Sequence, residues 1–173
     1  MIRYKNRPLF IASAGLSLVM LLTAVYFLFL DSGAPRDAWD VMLALAVPCA
    51  VVWVLIRVGL IPYVEWDAGR VTIRNPFVVY SAPLSKVRLL GRSEKDGAFE
   101  IAGVGSVTPW AMMRSVFDGQ RANGARRDLR RAILRTHEAD KDVDPSVSRR
   151  LRLGWFDVLP LPFIAACVWA FMP

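Results

Sequence analysis

The sequence is poor in the residues that most often carry chemistry, with two cysteines and one histidine among 173 residues. Cys49 and Cys167 both lie inside apolar runs, where a free cysteine behaves as a small hydrophobic residue, so a disulfide framework and a redox or metal centre are not expected. His137 has no nucleophile or metal-binding cluster beside it and is expected at the surface end of a helix. We therefore predict no enzyme, no cofactor, no metal, no catalytic residue and no small-molecule substrate.

Charged residues are also scarce, at 21%, whereas hydrophobic residues make up 55% of the chain. This mixture is too apolar for an ordinary soluble domain and too charged for a chain that lies wholly in lipid. The hydrophobic residues cluster at the two ends. Residues 63–153 hold 17 of the 22 lysines and arginines and 11 of the 15 acidic residues, a net charge of +6. We expect a part embedded in the lipid bilayer and a basic soluble domain.

Two long apolar runs, residues 8–30 and 38–61, predict a transmembrane helical hairpin. Each is long enough, at about 1.5 Å per residue, to cross a hydrocarbon core about 30 Å thick. A cleaved signal peptide is the alternative for the first run, because basic residues precede it and small residues follow at 32–34. Its length exceeds a usual h-region of about 7–15 residues, so we expect an anchor. In the second run, Arg57 is expected to extend to the headgroups rather than to line an ion or proton pathway.

The charged flanks of these runs predict their orientation. Arg3, Lys5 and Arg7 precede the first run, whereas the connecting turn holds Arg36 against three aspartates. Positive charge beside membrane helices favours the cytoplasmic side. The chain is therefore predicted to be a multi-pass protein of a bacterial-type cell membrane, with its N-terminus and its basic domain in the cytoplasm.

Residues 154–173 are a third apolar segment, interrupted by Asp157. Pro160 and Pro162 predict that its regular helix begins near Leu159, which leaves about 21 Å of helix at about 1.5 Å per residue. This length is short of a full crossing, so a complete crossing and a half-inserted or partner-packed segment both stay open. Asp157 is expected at the membrane interface.

Residues 63–139 predict an α+β domain. Alternating polarity on both sides of the turn at 67–69 indicates a β-hairpin, and further short runs up to residue 110 give a meander of about five to seven strands. Gly103 and Gly105 lack the third glycine of a dinucleotide loop and are interpreted as a strand irregularity. From residue 121 to 137 the pattern becomes helical.

The predicted helix has an apolar face and a basic face. The apolar positions, expected against the sheet, are Ala122, Ala125, Leu129, Ala132 and Ile133. The basic positions, expected in solvent, are Arg126, Arg127, Arg130, Arg131 and Arg135. Residues 140–153 are predicted to be a polar and basic linker that ends in Arg149, Arg150 and Arg152. These eight arginines are the candidate lipid-binding or partner-binding residues.

The order of these features resembles a known family. The stretches V-E-W-D-A-G-R-V-T-I-R-N-P-F and A-P-L-S-K-V, followed by further strands and a helix, resemble the pleckstrin-homology-like (PH-like) domains of small actinobacterial membrane proteins. The resemblance covers about residues 63–137 and depends on Gly69, on Asn75-Pro76 and on Pro83 with Val87. It implies a PH-like antiparallel sheet or barrel capped by a C-terminal helix, which binds partner proteins or membranes. It implies no catalytic residue, and the apolar C-terminal tail departs from the simplest family layout.

These features predict a non-catalytic accessory or scaffold protein that binds a membrane-protein partner or a second copy of itself. Small residues at 12–17 of the first helix would permit close helix packing. The alternative is recognition of anionic lipid at the cytoplasmic leaflet by the basic helix, since each Lys or Arg near such a surface contributes about 1 kcal/mol. The arginines could equally serve only solubility and orientation. Nucleic acid is not expected, because exposed aromatic residues do not alternate with the arginines.

Overall fold

The computed structural model of the protein describes residues 1–30, 37–90, 98–113, 119–138 and 146–171. The chain divides into two compact units, each assembled from segments that are distant in sequence. Met1–Phe10 and Ile61–Arg152 form one unit, which we name the sheet unit. Ile11–Leu60 and Leu153–Pro173 form the other, which we name the helical unit.

The described residues contain four α-helices and eight short strands. The helices, in chain order, are α1 (Arg7–Val25), α2 (Ala38–Leu55), α3 (Gly119–Glu138) and α4 (Leu161–Phe171). The strands are β1 (Ile2–Tyr4), β2 (Tyr63–Trp66), β3 (Arg70–Arg74), β4 (Val78–Pro83), β5 (Val87–Leu89), β6 (Phe99–Ile101), β7 (Gly105–Val107) and β8 (Ser148–Leu151). Single π-helical turns extend α1 to Leu30 and α2 to Leu60.

Among the described residues, two helices are long and apolar enough to cross a membrane. They run over Arg7–Phe29 and Ala38–Leu60, which are close to the two predicted ranges. Asp37 caps α2, because its carboxylate accepts a hydrogen bond of 2.8 Å from the backbone N–H of Asp40. A shorter apolar stretch covers Trp155–Trp169 and includes most of α4.

Within the helical unit, the most extensive helix packing is between α2 and α4. The rings of Trp39 and Trp169 lie 5.2 Å apart across this pair. By contrast, α1 meets α2 chiefly through its terminal turn, Tyr26–Leu30. The two long apolar helices are compatible with the predicted hairpin, and among the described residues α2 packs most extensively on the C-terminal helix.

The sheet unit contains two antiparallel sheets, with strand orders β1-β2-β3-β4-β8 and β5-β6-β7. The predicted hairpin is β2 and β3, in which Val64 pairs with Ile73 and Glu65 with Thr72. The predicted third strand, β4, pairs with β3. Gly103 and Gly105 lie at the β6–β7 turn with φ angles of +84° and +91°, which favour glycine. The sequence predicted a strand irregularity there, whereas the structure has a turn at residues 102–104 between two regularly paired strands.

Both edges of the larger sheet come from segments that the sequence assigned elsewhere. β1 precedes the first helix and pairs with β2. β8 lies within the predicted linker at 140–153, and its pairing with Val78–Ser81 shows that this prediction is wrong for residues 148–151. An edge strand is held by backbone hydrogen bonds to one neighbour, so it does not need the apolar alternation that reveals an inner strand. Residues 140–145 of the linker lie outside the described residues.

The core of the sheet unit lies between the two sheets and α3. The predicted apolar face of α3 is confirmed, with Ala122, Leu129 and Ile133 buried and Ala125 and Ala132 packed partly against the core. The other core residues include Val64, Trp66, Val71, Ile73, Leu84, Phe99, Ile101 and Met112. Burial of each large apolar side chain contributes about 1.5–3 kcal/mol of transfer free energy. Burial of this core is therefore the main favourable contribution to the stability of the sheet unit.

Asn75, one of the residues behind the family resemblance, links two parts of the sheet unit. Its amide group donates a hydrogen bond of 3.0 Å to the carbonyl of Thr108. Its amide oxygen accepts one of 2.9 Å from the backbone N–H of Trp110. The turn after β3 is thereby fixed to the segment that follows β7.

Candidate functional site

The predicted basic face of α3 is present except at one residue. Arg127, Arg130, Arg131 and Arg135 are exposed. Arg126 was predicted in solvent, and this is wrong: it is half-buried, and its Nη2 donates a hydrogen bond to the backbone carbonyl of Met112. Arg126 borders the apolar face on the helical wheel, so its long side chain reaches a carbonyl of the neighbouring 3-10 turn. It holds α3 in place rather than offering a free cation.

The arginines of the C-terminal flank are exposed, but they do not form one cluster. Arg149 pairs with Tyr80, whereas Arg150 pairs with Val79. Successive side chains of a strand point to opposite faces of a sheet. Arg149 and Arg150 therefore lie on opposite faces, with Arg152 just beyond the strand.

A groove of about 350 Å³ runs between β1, the β2–β3 turn and α3. Its lining includes the apolar residues Ile2, Trp66 and Ala132 and, as charged residues, Asp67, Asp128, Arg131 and Arg135. Arg131 and Asp128 form an exposed ion pair of 3.6 Å within α3. We name this feature the mixed-charge groove, because two carboxylates and two guanidinium groups line it together with apolar residues.

The turn beside the mixed-charge groove is well ordered by hydrogen bonds. The carboxylate of Asp67 accepts hydrogen bonds of 2.9 Å from the backbone N–H groups of Gly69 and Arg70. These two bonds hold the pKa of Asp67 below its usual range, because they stabilise the ionised form. The hydroxyl of Thr136 on α3 donates to the carbonyl of Ala68 at 3.3 Å. One wall of the groove is thereby tied to the other.

A second groove, of about 570 Å³, lies at the end of the edge strand β1. Its lining residues are Arg3, Tyr4, Lys5, Arg7 and Arg121, so four of the five are basic. We name it the cationic groove. The sequence treated the first three cations only as orientation signals, because β1 is too short and too polar to be recognised as a strand.

The cations at this groove are crowded. The guanidinium of Arg3 lies 3.8 Å from the ring centre of Tyr63, and that of Arg74 lies 5.5 Å from the same ring. The ammonium of Lys5 lies 3.9 Å from the ring centre of Phe10. Burial, and then the positive charges of Arg3 and Arg74, lower the pKa of Lys5. Aromatic faces stabilise these side chains without neutralising them.

The helical unit contains a buried ion pair that the sequence did not predict. Arg57 is only 2% exposed and pairs with Asp157, whose side chain is 18% exposed. The Nε of Arg57 and the Nε1 of Trp53 each donate a hydrogen bond of 2.9 Å to the same oxygen, Oδ1 of Asp157. The other oxygen accepts a bond of 2.6 Å from the backbone N–H of Gly154. The ring of Phe156 lies 4.8 Å from the guanidinium carbon.

This pair adds to two predictions, because neither residue was predicted to pair with the other. Arg57 was expected to extend to the headgroups, and Asp157 was expected at the membrane interface. The partners are 100 residues apart, in segments that share no local pattern. A charge in an apolar segment is costly unless it is paired and hydrogen-bonded, and here both requirements are met. The pair joins the end of α2 to the segment that leads into α4.

The described residues contain no cluster of three or more His, Cys, Asp or Glu that could hold a metal. Cys49 and Cys167 are half-buried free thiols. The side chain of His137 lies outside what the structure describes. The positions with clear chemical character in the described chain are therefore the two grooves, the exposed arginines and the buried ion pair.

Comparison with protein-family models, with curated proteins and with solved structures finds no match to this chain. The PH-like classification stays a prediction. Any function must be argued from the chemistry of the two grooves and of the helices that carry them.

Proposed function

We propose that this chain is a non-catalytic accessory protein of a bacterial cell membrane, whose PH-like cytoplasmic domain binds a membrane-protein partner. The strand order supports the PH-like assignment, because β2 to β4 and β5 to β7 form two antiparallel groups that precede one helix, α3. The helices α1 and α2 serve as the multi-pass anchor. Basic flanks at residues 3–7 favour a cytoplasmic N-terminus.

The observation that carries this proposal is the mixed-charge groove. Its apolar lining residues offer contact area, while the charges of both signs beside them provide specific pairing. A polypeptide segment with an apolar side chain between charged ones matches this pattern. A phosphate-bearing lipid would meet Asp67 and Asp128 as repulsive neighbours, so this groove favours a protein over a lipid.

Short connections support a partner in the same membrane. Two residues separate β1 from α1, two separate the last turn of α2 from β2, and three separate β8 from the Trp155–Val158 turn. At about 3.3–3.6 Å per residue, none of these connections extends beyond roughly 12 Å. A domain tethered in this way is confined to the membrane surface and meets chiefly partners that are present there.

Reversal of the groove charges tests the proposal. The full chain is extracted in a gentle detergent, and the species that accompany it are measured by native mass spectrometry. We expect the double variant Arg131→Glu with Arg135→Glu to lose a stoichiometric partner that the wild type retains. The matched control is Arg127→Glu with Arg130→Glu, which changes the same charge on the same helix outside the groove.

Two results would reject partner binding at this groove. One is a wild-type chain that is always recovered alone. The other is an equal loss of partner in the Arg131→Glu, Arg135→Glu variant and in the control. The net positive charge of α3, rather than the groove, would then explain binding.

A second candidate function is recognition of anionic lipid at the cytoplasmic leaflet. The exposed arginines of α3 and the cationic groove favour it, since each cation near an anionic surface contributes about 1 kcal/mol. The test uses the full chain in nanodiscs with and without acidic lipid. Equal retention of acidic and zwitterionic lipid after detergent extraction would reject this function.

A further inference from the structure

The cationic groove differs in chemistry from every other described feature of the sheet unit. Its lining brings three guanidinium groups and one ammonium group together from β1, the start of α1 and the first turns of α3. Glu65 is the cross-strand neighbour of Arg3, and it is the carboxylate that the strand register places beside the groove. Among the residues that the structure describes, one carboxylate beside four lining cations leaves a net positive site.

The fold holds two of these cations, Arg3 and Lys5, in position. Arg3 is fixed by the ladder between β1 and β2 and rests on the ring of Tyr63 at 3.8 Å. Lys5 is half-buried beside Phe10, and its lowered pKa reflects burial and the charges of Arg3 and Arg74. Such repulsion is relieved when an anion binds among the cations. Guanidinium groups match the oxygen geometry of a phosphate by paired hydrogen bonds.

Chain connectivity indicates the source of that phosphate. Arg7 lines the groove and is also the first residue of α1, a helix long and apolar enough to cross a membrane. The groove therefore begins where the proposed membrane helix begins, at the depth of lipid headgroups. Its volume, about 570 Å³, lies within the roughly 300–1,000 Å³ typical of pockets for small molecules and exceeds the needs of a lone phosphate.

We propose that the cationic groove is a binding site for the phosphate of an anionic phospholipid headgroup, held by Arg3, Lys5, Arg7 and Arg121. This inference rests on the second candidate function, lipid recognition. It moves the site away from the arginine face of α3, which the sequence favoured. It does not depend on the partner-binding function of the mixed-charge groove.

The test uses the full chain in nanodiscs that contain equal amounts of phosphatidylglycerol and phosphatidylcholine. Native mass spectrometry measures which lipids remain bound after release from the nanodisc. The groove variant combines Arg3→Gln, Lys5→Gln and Arg121→Gln. The matched control combines Arg88→Gln, Arg127→Gln and Arg130→Gln, which removes the same charge from exposed positions outside the groove. Thermal unfolding of both variants establishes that each is folded.

We expect the wild type and the control to retain phosphatidylglycerol in preference to phosphatidylcholine. At about 1 kcal/mol per cation, the groove variant should bind the anionic lipid on the order of a hundredfold more weakly. Excess inorganic phosphate should not displace the lipid, because free phosphate lacks the remainder of the headgroup and the acyl chains.

Each other outcome overturns the inference in a distinguishable way. If the control loses the lipid and the groove variant keeps it, lipid recognition stands but its site is the face of α3. If the wild type shows no preference, both lipid recognition and this site are rejected. If inorganic phosphate displaces the lipid fully, the ligand is a soluble phosphate and the lipid assignment is wrong.

Discussion

Arginine is used in opposite ways in the two units. In the helical unit, Arg57 is buried and its charge is matched within the fold by Asp157. In the sheet unit, arginines such as Arg130 and Arg150 are exposed. Arg126 lies between these extremes, half-buried with one hydrogen bond to a carbonyl. The comparison indicates that burial and the available acceptors, rather than residue type, decide which arginines hold the fold and which are available for binding.

The largest expected effect comes from breaking the buried pair. Asp157→Leu leaves a buried cation that cannot lose its proton, whereas Arg57→Leu leaves a carboxylate that can become protonated. Loss of one partner of a fully buried pair costs about 3–5 kcal/mol; because Asp157 is 18% exposed, we expect losses near the lower end, with Asp157→Leu the more damaging change. Thermal unfolding in detergent measures both variants.

The double variant, Arg57→Leu with Asp157→Leu, is the control for this pair. Replacement of both charges by apolar residues is often nearly neutral, so we expect it to recover most of the lost stability. A double variant as unstable as the sum of the two single ones would mean that the charges do not act as a pair.

A smaller effect is expected at Arg126. Arg126→Met removes the hydrogen bond to the carbonyl of Met112 but keeps most of the apolar contact of the side chain. Hydrogen bonds from charged groups contribute about 1.5–3 kcal/mol, and partial exposure places the expected loss near the lower end. Chemical unfolding should show this loss for Arg126→Met and almost none for Arg127→Met. Equal effects would place both residues among the exposed arginines.

Asp67 extends the comparison to an acidic residue. Its carboxylate accepts two backbone hydrogen bonds in the β2–β3 turn, so Asp67→Ala should cost about 1 kcal/mol. Because its pKa is lowered in the folded state, the contribution is present above the ordinary pKa of aspartate and is lost as the pH falls through the folded value. Unfolding measured between neutral pH and about pH 3 should show the wild type converging on the variant.

The smallest effect is expected at Lys5, and it has the opposite sign. Burial and neighbouring cations disfavour its charged form in the folded state, so Lys5→Gln should slightly raise the melting temperature in lipid-free detergent. The same change should weaken binding of anionic lipid. A lower melting temperature together with unchanged lipid binding would indicate that Lys5 has a purely structural role.

Much of the sheet unit was predictable because its patterns are local. The 3.6-residue period of α3 identified Leu129 and Ile133 as core residues, and alternation around residues 67–69 identified β2 and β3. The apolar helices were predictable for the same reason. Such features need only neighbouring residues to be recognised.

The features that were missed depend on distant partners or on backbone pairing. Arg57 and Asp157 are separated by 100 residues. The sequence around one of them therefore gives no sign that the other is its partner. β1 and β8 are edge strands whose polar side chains hide a ladder made by the backbone. The cationic groove was missed as a consequence, because Arg3 and Arg121 line the same groove only when β1 is paired in the sheet.

The most direct test of the account is one temperature series by native mass spectrometry on the wild type, Asp157→Leu and the double variant Arg131→Glu with Arg135→Glu. Asp157→Leu should unfold at a lower temperature, because the buried pair holds the helical unit. The Arg131→Glu, Arg135→Glu variant should unfold at the same temperature as the wild type but lose the bound partner. The account would be contradicted if Asp157→Leu matched the wild type in stability, or if the Arg131→Glu, Arg135→Glu variant lost stability while keeping its partner.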